Sequence, residues 1–228
     1  MTNKMPAWDL SDYYTSMKDA KIAEDLESYR QGTEEFAKRY KGKLAELSAE
    51  EFLVAAKDIE RRSKIASRLG GFAYLNMVTQ MKNVEAVAFY QDIQEKLTDY
   101  CKPAIFFSLE FNALPDAKIN EWLQNKDVAF YKYWIKRMRK FKDYELSEPV
   151  EEILVEKSLT SSEAWVRLYE ETSSRLVYTV DGKEYNDAEL SKLMLDKNPQ
   201  TREKAGKELN RVLKENGHLM TFIYNMVM

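Results

Sequence analysis

The chain contains few of the residues that metal sites, disulfides and tight turns require. Its 228 residues include one histidine, His218, and one cysteine, Cys101, with only seven glycines and five prolines. A single thiol cannot form an internal disulfide, and one histidine with one cysteine cannot complete a structural zinc site. Scarce glycine and proline argue against a β-sandwich or a disordered chain and favour helices.

Long apolar runs and an excess of one charge are also missing. No window approaches the roughly 18 apolar residues of a membrane helix, and the N-terminal sequence MTNKMPAWDLSDYY has no signal-peptide core. Lys plus Arg total 35 and Asp plus Glu total 38. A balance this even gives no general attraction to nucleic acid or anionic membranes. We therefore expect a cytoplasmic protein with no nucleic-acid or membrane partner.

Apolar residues at helical spacing predict an all-α fold, a multi-helix array of long antiparallel helices with one small β-hairpin. Ser48 and Glu51 form a capping box that marks a helix start. Gly70-Gly71, inside that helix, should bend it or allow close packing. Pro103 should kink a third helix near Asp99. The predicted helices cover residues 19–40, 49–80, 83–114, 116–123 and 127–141.

The pattern changes after residue 175. LVYTVDGKEY, residues 176–185, places Asp181-Gly182 between two β-prone runs, which predicts strands at 176–180 and 183–186. Before it, Thr160 and Glu163 predict a second capping box. After it, one helix is predicted after Asn186, and a last helix is predicted from Gln200 to the end of the chain.

The C-terminal sequence HLMTFIYNMVM forms an apolar helical stripe. We expect this stripe to be exposed, the isolated chain to associate, and more protein to belong downstream; the alternative is a helix docked into its own core. The stripe consists of Leu219, Phe222, Ile223, Met226 and Val227.

Three single residues are candidates for a chemical role. His218 lacks an identifiable nucleophile to serve, and Cys101 is expected to be a buried, inert thiol. Glu110, in IFFSLEF, is either a functional carboxylate among aromatic residues or a structural one, and the structural interpretation is favoured. We assign no catalytic, metal-binding or cofactor-binding residue.

The segment Phe130–Lys142 contains six basic residues and no acidic ones. Interleaved aromatic residues are typical of polyanion or membrane-surface binders. The favoured interpretation is an amphipathic helix with one apolar and one cationic, solvated face. The apolar face consists of Phe130, Trp134, Met138 and Phe141, and the cationic face includes Lys132, Lys136, Arg139 and Lys140.

Several stretches resemble the oligoendopeptidase F family. They include WDLSDYY, FAKRYKGKL, KPAIFFSLEFNAL and NPQTREKAGKEL. The most specific, residues 156–193, contains AWVRL in a helix, then a hairpin, then a helix. The resemblance implies a cytosolic zinc metallopeptidase that hydrolyses short peptides in a channel between helical lobes. It also implies that the His-Glu-x-x-His zinc motif and a further glutamate lie in a missing C-terminal catalytic lobe, so this chain alone should be inactive.

The resemblance divides the chain into three expected parts. Residues 1–114 form an N-terminal long-helix region, 115–196 a small helical subdomain with the hairpin, and 197–228 the first helix of the peptidase catalytic region. Two other functions remain open: a self-standing helical protein-interaction domain, and a weak polyanion or membrane-surface binder that uses residues 130–142.

Overall fold

The computed structural model describes residues 8–227 and confirms a mainly helical fold with one two-stranded antiparallel sheet. The chain divides after Glu156 into two compact units. None of the helices in this described part has a stretch long and apolar enough to cross a lipid bilayer. The three parts expected from the sequence, 1–114, 115–196 and 197–228, have other boundaries than these two units. They stay a prediction.

The first unit begins with three long helices joined by short connections. Asp19 caps the first helix by accepting the N–H of Lys21, and Gly42, at φ +77°, follows its end. The predicted capping box of Ser48 and Glu51 is formed. The helices are α1 (Ala20–Tyr40), α2 (Ala49–Thr79) and α3 (Val84–Cys101).

The Gly70-Gly71 pair does not interrupt α2, and the space at both positions would accept a methyl group. A methyl group at Gly70 would lie 3.5 Å from Leu97 Cδ1, and one at Gly71 would lie 3.5 Å from Tyr13 Cε1. Both distances are ordinary van der Waals contacts, so larger side chains at these positions would push the neighbouring residues away.

Five shorter helices follow in this unit. They are α4 (Phe106–Ala113), α5 (Asp116–Trp122), α6 (Lys126–Ala129), α7 (Lys132–Arg139) and α8 (Glu148–Ser158). The boundary between the two units lies within α8.

Two predicted helices were wrong in length. The helix over 83–114 is divided by a 3₁₀ turn at Lys102–Ala104, where Pro103 lacks an N–H donor, and not at Asp99. The helix over 127–141 is divided between α6 and α7.

The main core of the first unit is aromatic. Phe52 stacks on Trp122 with ring centroids 4.1 Å apart, and Trp122 Nε1 donates to the carbonyl of Leu47 at 3.0 Å. Both side chains are fully buried, so this contact fixes α5 against the start of α2. A second core cluster, which includes Tyr14, Phe72 and Ile93, lies among the first three helices.

The second unit contains the hairpin. Strands β1 (Tyr178–Val180) and β2 (Lys183–Tyr185) pair with Tyr178 opposite Tyr185. Asp181 at φ 51° and Gly182 at φ 77° form the predicted turn. Tyr178 and Val180 pack with Leu190, Ala205 and Val212 in a small core. The helices are α9 (Ser162–Ser174), α10 (Asp187–Met194), α11 (Pro199–Glu215) and α12 (Gly217–Val227).

Two predictions for this unit were wrong. The Thr160–Glu163 capping box does not form, because the hydroxyl of Thr160 donates to the carbonyl of Lys157 and Ser161 occupies the N-cap position. The last helix is also interrupted. Asn216 ends α11, its side chain donates to the carbonyl of Val212, and α12 starts at Gly217.

Candidate functional site

One face of α2 forms the floor of a groove in the first unit. Ala56, Glu60, Ser63 and Ser67 are spaced by four, three and four residues, which places them on one side of a helix. Two adjoining cavities lie along this face and share Glu60 and Ser63. We call this surface the α2 groove.

The first cavity, of about 310 Å³, is partly aromatic. Tyr131 Oη donates to Glu60 Oε2 at 2.8 Å, and the rings of Tyr131 and Trp134 meet edge to face at 6.1 Å. Burial, followed by the hydrogen bond to Glu60, raises the pKa of Tyr131. Hydrogen bonds from Lys64 and Tyr131 lower the pKa of Glu60. At neutral pH, Glu60 is therefore an ionised acceptor and Tyr131 a protonated donor.

The second cavity, of about 540 Å³, is lined by more charged side chains. Its lining includes Tyr13, Lys64, Ser67 and Arg68. Arg68 Nη2 pairs with Asp25 Oδ2 at 3.0 Å, while the buried Nε of Arg68 has no hydrogen-bond partner among the described residues. The two cavities together present aromatic rings, hydroxyl groups and charges of both signs, which suits an extended polar chain with apolar side groups.

The residues weighed from the sequence lie outside the α2 groove. Cys101 is half-buried, its Sγ donates to the carbonyl of Thr98 at 3.2 Å, and burial raises the pKa of its thiol, as expected for an inert cysteine. Glu110 Oε1 accepts the N–H of Gly42 at 2.7 Å, a contact that agrees with the structural interpretation, which stays a prediction. His218 is exposed in the first turn of α12.

The basic segment differs from its predicted arrangement. Lys132, Lys136 and Lys140 are exposed as expected, but the side chain of Arg139 is only 13% exposed and hydrogen-bonds three backbone carbonyls and Asp116. The predicted apolar face was also wrong in part. Trp134 and Met138 pack against the core, whereas Phe130 is 80% exposed and the buried residue is Ile135.

Sequence reasoning missed the α2 groove. Tyr131 and Glu60 are 71 residues apart, and no local pattern connects them. The spacing of small and polar residues on α2 was the one available signal, and it is equally typical of a solvated helix face.

A segment that contains parts of both units matches a known family. Residues 110–178 match the family model described as Oligopeptidase F. The predicted resemblance to oligopeptidase F is confirmed. The matched segment includes the first part of the most specific stretch, residues 156–193. No curated protein matches the chain.

The fold is also similar to that of a solved oligopeptidase F structure. Oligoendopeptidase-F from Enterococcus faecium matches with a TM-score of 0.76 and 17% identity, over 91% of this chain and 42% of that chain. At this identity the likeness concerns the fold, and the chain spans less than half the length of the Enterococcus faecium protein. A Chlamydophila abortus protein assigned as a peptidase matches with a TM-score of 0.48 and 16% identity, over 96% and 37% of the two chains.

The described residues do not fit the zinc that the oligopeptidase F resemblance implies. Within residues 8–227, no three His, Cys, Asp or Glu side chains are grouped so that they could hold a metal ion. A catalytic zinc requires three protein ligands. We therefore assign no step of peptide hydrolysis to these residues.

Proposed function

We propose that this chain is the N-terminal scaffold of an oligoendopeptidase F-like zinc metallopeptidase and that it holds short peptides in the α2 groove. The match of residues 110–178 to the oligopeptidase F family carries the proposal, and the fold similarity to the Enterococcus faecium protein supports it. In this proposal the zinc ligands and the hydrolytic step belong to a catalytic lobe outside these residues, so the chain alone binds peptides without cleaving them.

The chemistry of the α2 groove supports peptide contact. Ionised Glu60 can accept a peptide N–H, and the hydroxyls of Ser63 and Ser67 can donate or accept. Tyr131 and Trp134 offer apolar surface to a peptide side chain. The lining contains both acidic and basic side chains. The groove should therefore bind the peptide backbone without a strong preference for an acidic or a basic peptide side chain.

The test is a binding titration of the whole chain with a fluorescein-labelled, mixed-sequence nonapeptide, followed by anisotropy. Ser63→Trp should fill the groove and weaken binding at least tenfold. Val54→Trp, on the same helix but outside the groove, is the matched control and should bind like the wild type. Equal affinity of the two variants, or no saturable binding by the wild type, would refute the groove assignment.

Cleavage and metal content test the other half of the proposal. Purified chain should leave an internally quenched nonapeptide intact and should contain no stoichiometric zinc. Cleavage that a chelator abolishes, or one tightly bound zinc per chain, would show that a catalytic site exists within this sequence.

One observation favours a second candidate, a surface that binds anionic membranes. Phe130 and Tyr133 are 80% and 85% exposed beside the exposed lysines of α7. Exposed aromatic rings next to lysines are typical of segments that lie at a lipid surface. Co-sedimentation with vesicles of phosphatidylserine and phosphatidylcholine, compared with phosphatidylcholine alone, tests this candidate. Binding that Lys132→Ser and Lys136→Ser abolish, with the fold retained, would favour it.

A further inference from the structure

A third cavity in the first unit lies away from the α2 groove and shares no residue with it. It has a volume of about 460 Å³, within the range of small-molecule sites. Its walls come from α4, α7, the 3₁₀ turn at Lys142–Tyr144 and α8. The apolar part of the lining consists of Ile105, Leu109, Met138, Phe141 and Val155.

The polar part of this cavity contains an unsatisfied acceptor. Asn112 is 2% exposed, and its Nδ2 donates to Glu145 Oε1 at 2.5 Å and to the carbonyl of Met138 at 3.4 Å. Its Oδ1 has no hydrogen-bond partner among the described residues. Leaving a buried carbonyl oxygen unpaired is unfavourable, so a hydrogen-bond donor placed against Asn112 Oδ1 would be stabilising.

The charged groups that line the cavity are both carboxylates. Glu145 and Glu151 belong to the lining, and Glu151 Oε1 also accepts the N–H of Leu146 at 2.9 Å. Arg139 is the nearby cation, but the backbone carbonyls at the end of α4 and the carboxylate of Asp116 already occupy its guanidinium. The cavity thus presents acceptors within apolar walls.

We propose that this cavity binds a primary ammonium group carried on an apolar chain. An ammonium has three donors and no acceptor, which complements Glu145, Glu151 and Asn112. The apolar chain lies against Leu109, Met138 and Phe141. A carboxylate ligand would face two like charges, and an uncharged apolar ligand would leave the acceptors unpaired. Two sources share this chemistry: a free alkylamine, and a lysine side chain of a peptide.

The ionisation of Glu145 should control this binding. Burial raises the pKa of Glu145 and Glu151 adds to the effect, while the hydrogen bond from Asn112 and the charge of Arg139 oppose it. Glu145 therefore loses its charge at a higher pH than an ordinary glutamate. Affinity for an ammonium ligand should fall as the pH decreases and Glu145 becomes protonated.

The test uses n-hexylamine, which is an ammonium ion at neutral pH, in calorimetric titrations of the whole chain. Hexylamine should saturate one site, and hexanoate should not bind. Glu145→Gln should weaken hexylamine binding at least tenfold. Glu152→Gln, on α8 beside Glu151 but outside the lining, is the matched control and should bind like the wild type.

The source of the ligand is tested with Nα-acetyl-lysine amide against Nα-acetyl-norleucine amide. Binding of hexylamine alone assigns the site to free amines, and binding of the lysine compound as well assigns it to peptide side chains; both outcomes support the site. No saturation by either amine, equal binding of hexanoate, or equal loss in the two glutamine variants would overturn it. Far-UV circular dichroism confirms that each variant is folded, and Glu151→Gln provides a second variant if Glu145→Gln is not.

Discussion

Arg139 Nη1 donates a hydrogen bond to the backbone carbonyl of Leu114 at 2.9 Å, across 25 residues of sequence. The same nitrogen lies 3.0 Å from the carbonyls of Phe111 and Asn112. These carbonyls are at the end of α4, where backbone donors become scarce and where a cation is favoured by the helix dipole; among the three, the carbonyl of Phe111 also accepts the N–H of Leu114 at 3.3 Å. Arg139 is therefore a C-terminal cap supplied by another helix.

This cap predicts unequal effects for two cations of α7. Arg139→Ala should lower the free energy of unfolding by about 2–3 kcal/mol, since it removes a charged donor from carbonyls at the buried end of a helix. Lys136→Ala, the exposed control, should change it by only tenths of a kcal/mol. Urea unfolding measures both. Equal midpoints for the two variants would contradict the capping role.

The sequence pattern predicted that Arg139 would be exposed, and the reason for the error is physical. Charge on one face of a helix shows which side is polar, but it does not show which polar groups of other helices lie opposite. The end of α4 was predicted at residue 114, before Pro115, but no local pattern places Arg139 opposite the carbonyls at that end. The Ser48–Glu51 capping box, whose partners lie within four residues, was predicted correctly. The equally local Thr160–Glu163 box was not, because the hydroxyl of Thr160 donates to the carbonyl of Lys157 instead.

Replacing two glycines of the second unit by alanine should change the free energy of unfolding in opposite directions. Gly182 has φ +77° in the turn, whereas Gly206 lies inside α11, and an added methyl group would meet no atom within 4 Å at either position. Gly182→Ala should destabilise the protein by about 1–2 kcal/mol, because an L side chain is strained in the left-handed region. Gly206→Ala should stabilise it by about 0.5–1 kcal/mol through helix propensity. Thermal or urea unfolding distinguishes the two, and effects of the same sign would contradict the turn geometry.

Glu208 connects α11 to the hairpin and predicts an acid dependence. Its Oε1 accepts the N–H of Thr179 at 2.7 Å, and its carboxylate pairs with Arg211. Hydrogen bonds from Arg211 and then Thr179 lower the pKa of Glu208 to about 2. Because the pKa is lower in the folded protein, the stabilisation is complete above the ordinary value of 4.5 and is lost as the pH falls through about 2.

Glu208→Gln should therefore reduce stability at pH 7, and the difference from the wild type should shrink as the pH falls below 4.5. Glu184→Gln, an exposed glutamate in β2, is the control and should follow the wild type at each pH. Urea unfolding at several pH values, observed by far-UV circular dichroism, measures the difference. A constant difference across this range would show that the carboxylate makes no such contribution.

The candidate sites were less predictable than the helices. The α2 groove depends on the contact between Tyr131 and Glu60, and the ammonium cavity depends on Asn112 meeting Glu145, 33 residues away. Contacts of this kind follow from how helices pack, and a single sequence carries no record of them. The hairpin turn was predictable because Asp181 and Gly182 themselves impose the backbone conformation.

The apolar stripe of α12 gives the last prediction. The expected exposure is confirmed, since Leu219, Phe222, Met226 and Val227 are 38–47% exposed and Ile223 alone is buried, at 2%. A groove of about 530 Å³ between α9 and α12 adjoins this stripe and is almost entirely apolar. Burying large apolar side chains that are partly solvent-exposed is favourable by up to about 1.5–3 kcal/mol each. Two copies of the chain should therefore associate through this face.

Sedimentation velocity over a range of concentrations measures this association. The double variant Met226→Ser and Val227→Ser should shift the wild-type chain toward monomer and lower the stability of the fold much less than a change at a buried position, because both side chains are already nearly half exposed. Ile223→Ser is the contrasting control: it places a hydroxyl in a buried position and should destabilise the fold by more than about 2 kcal/mol. A monomeric wild type, or a double variant that associates as strongly as the wild type, would show that this stripe does not drive self-association.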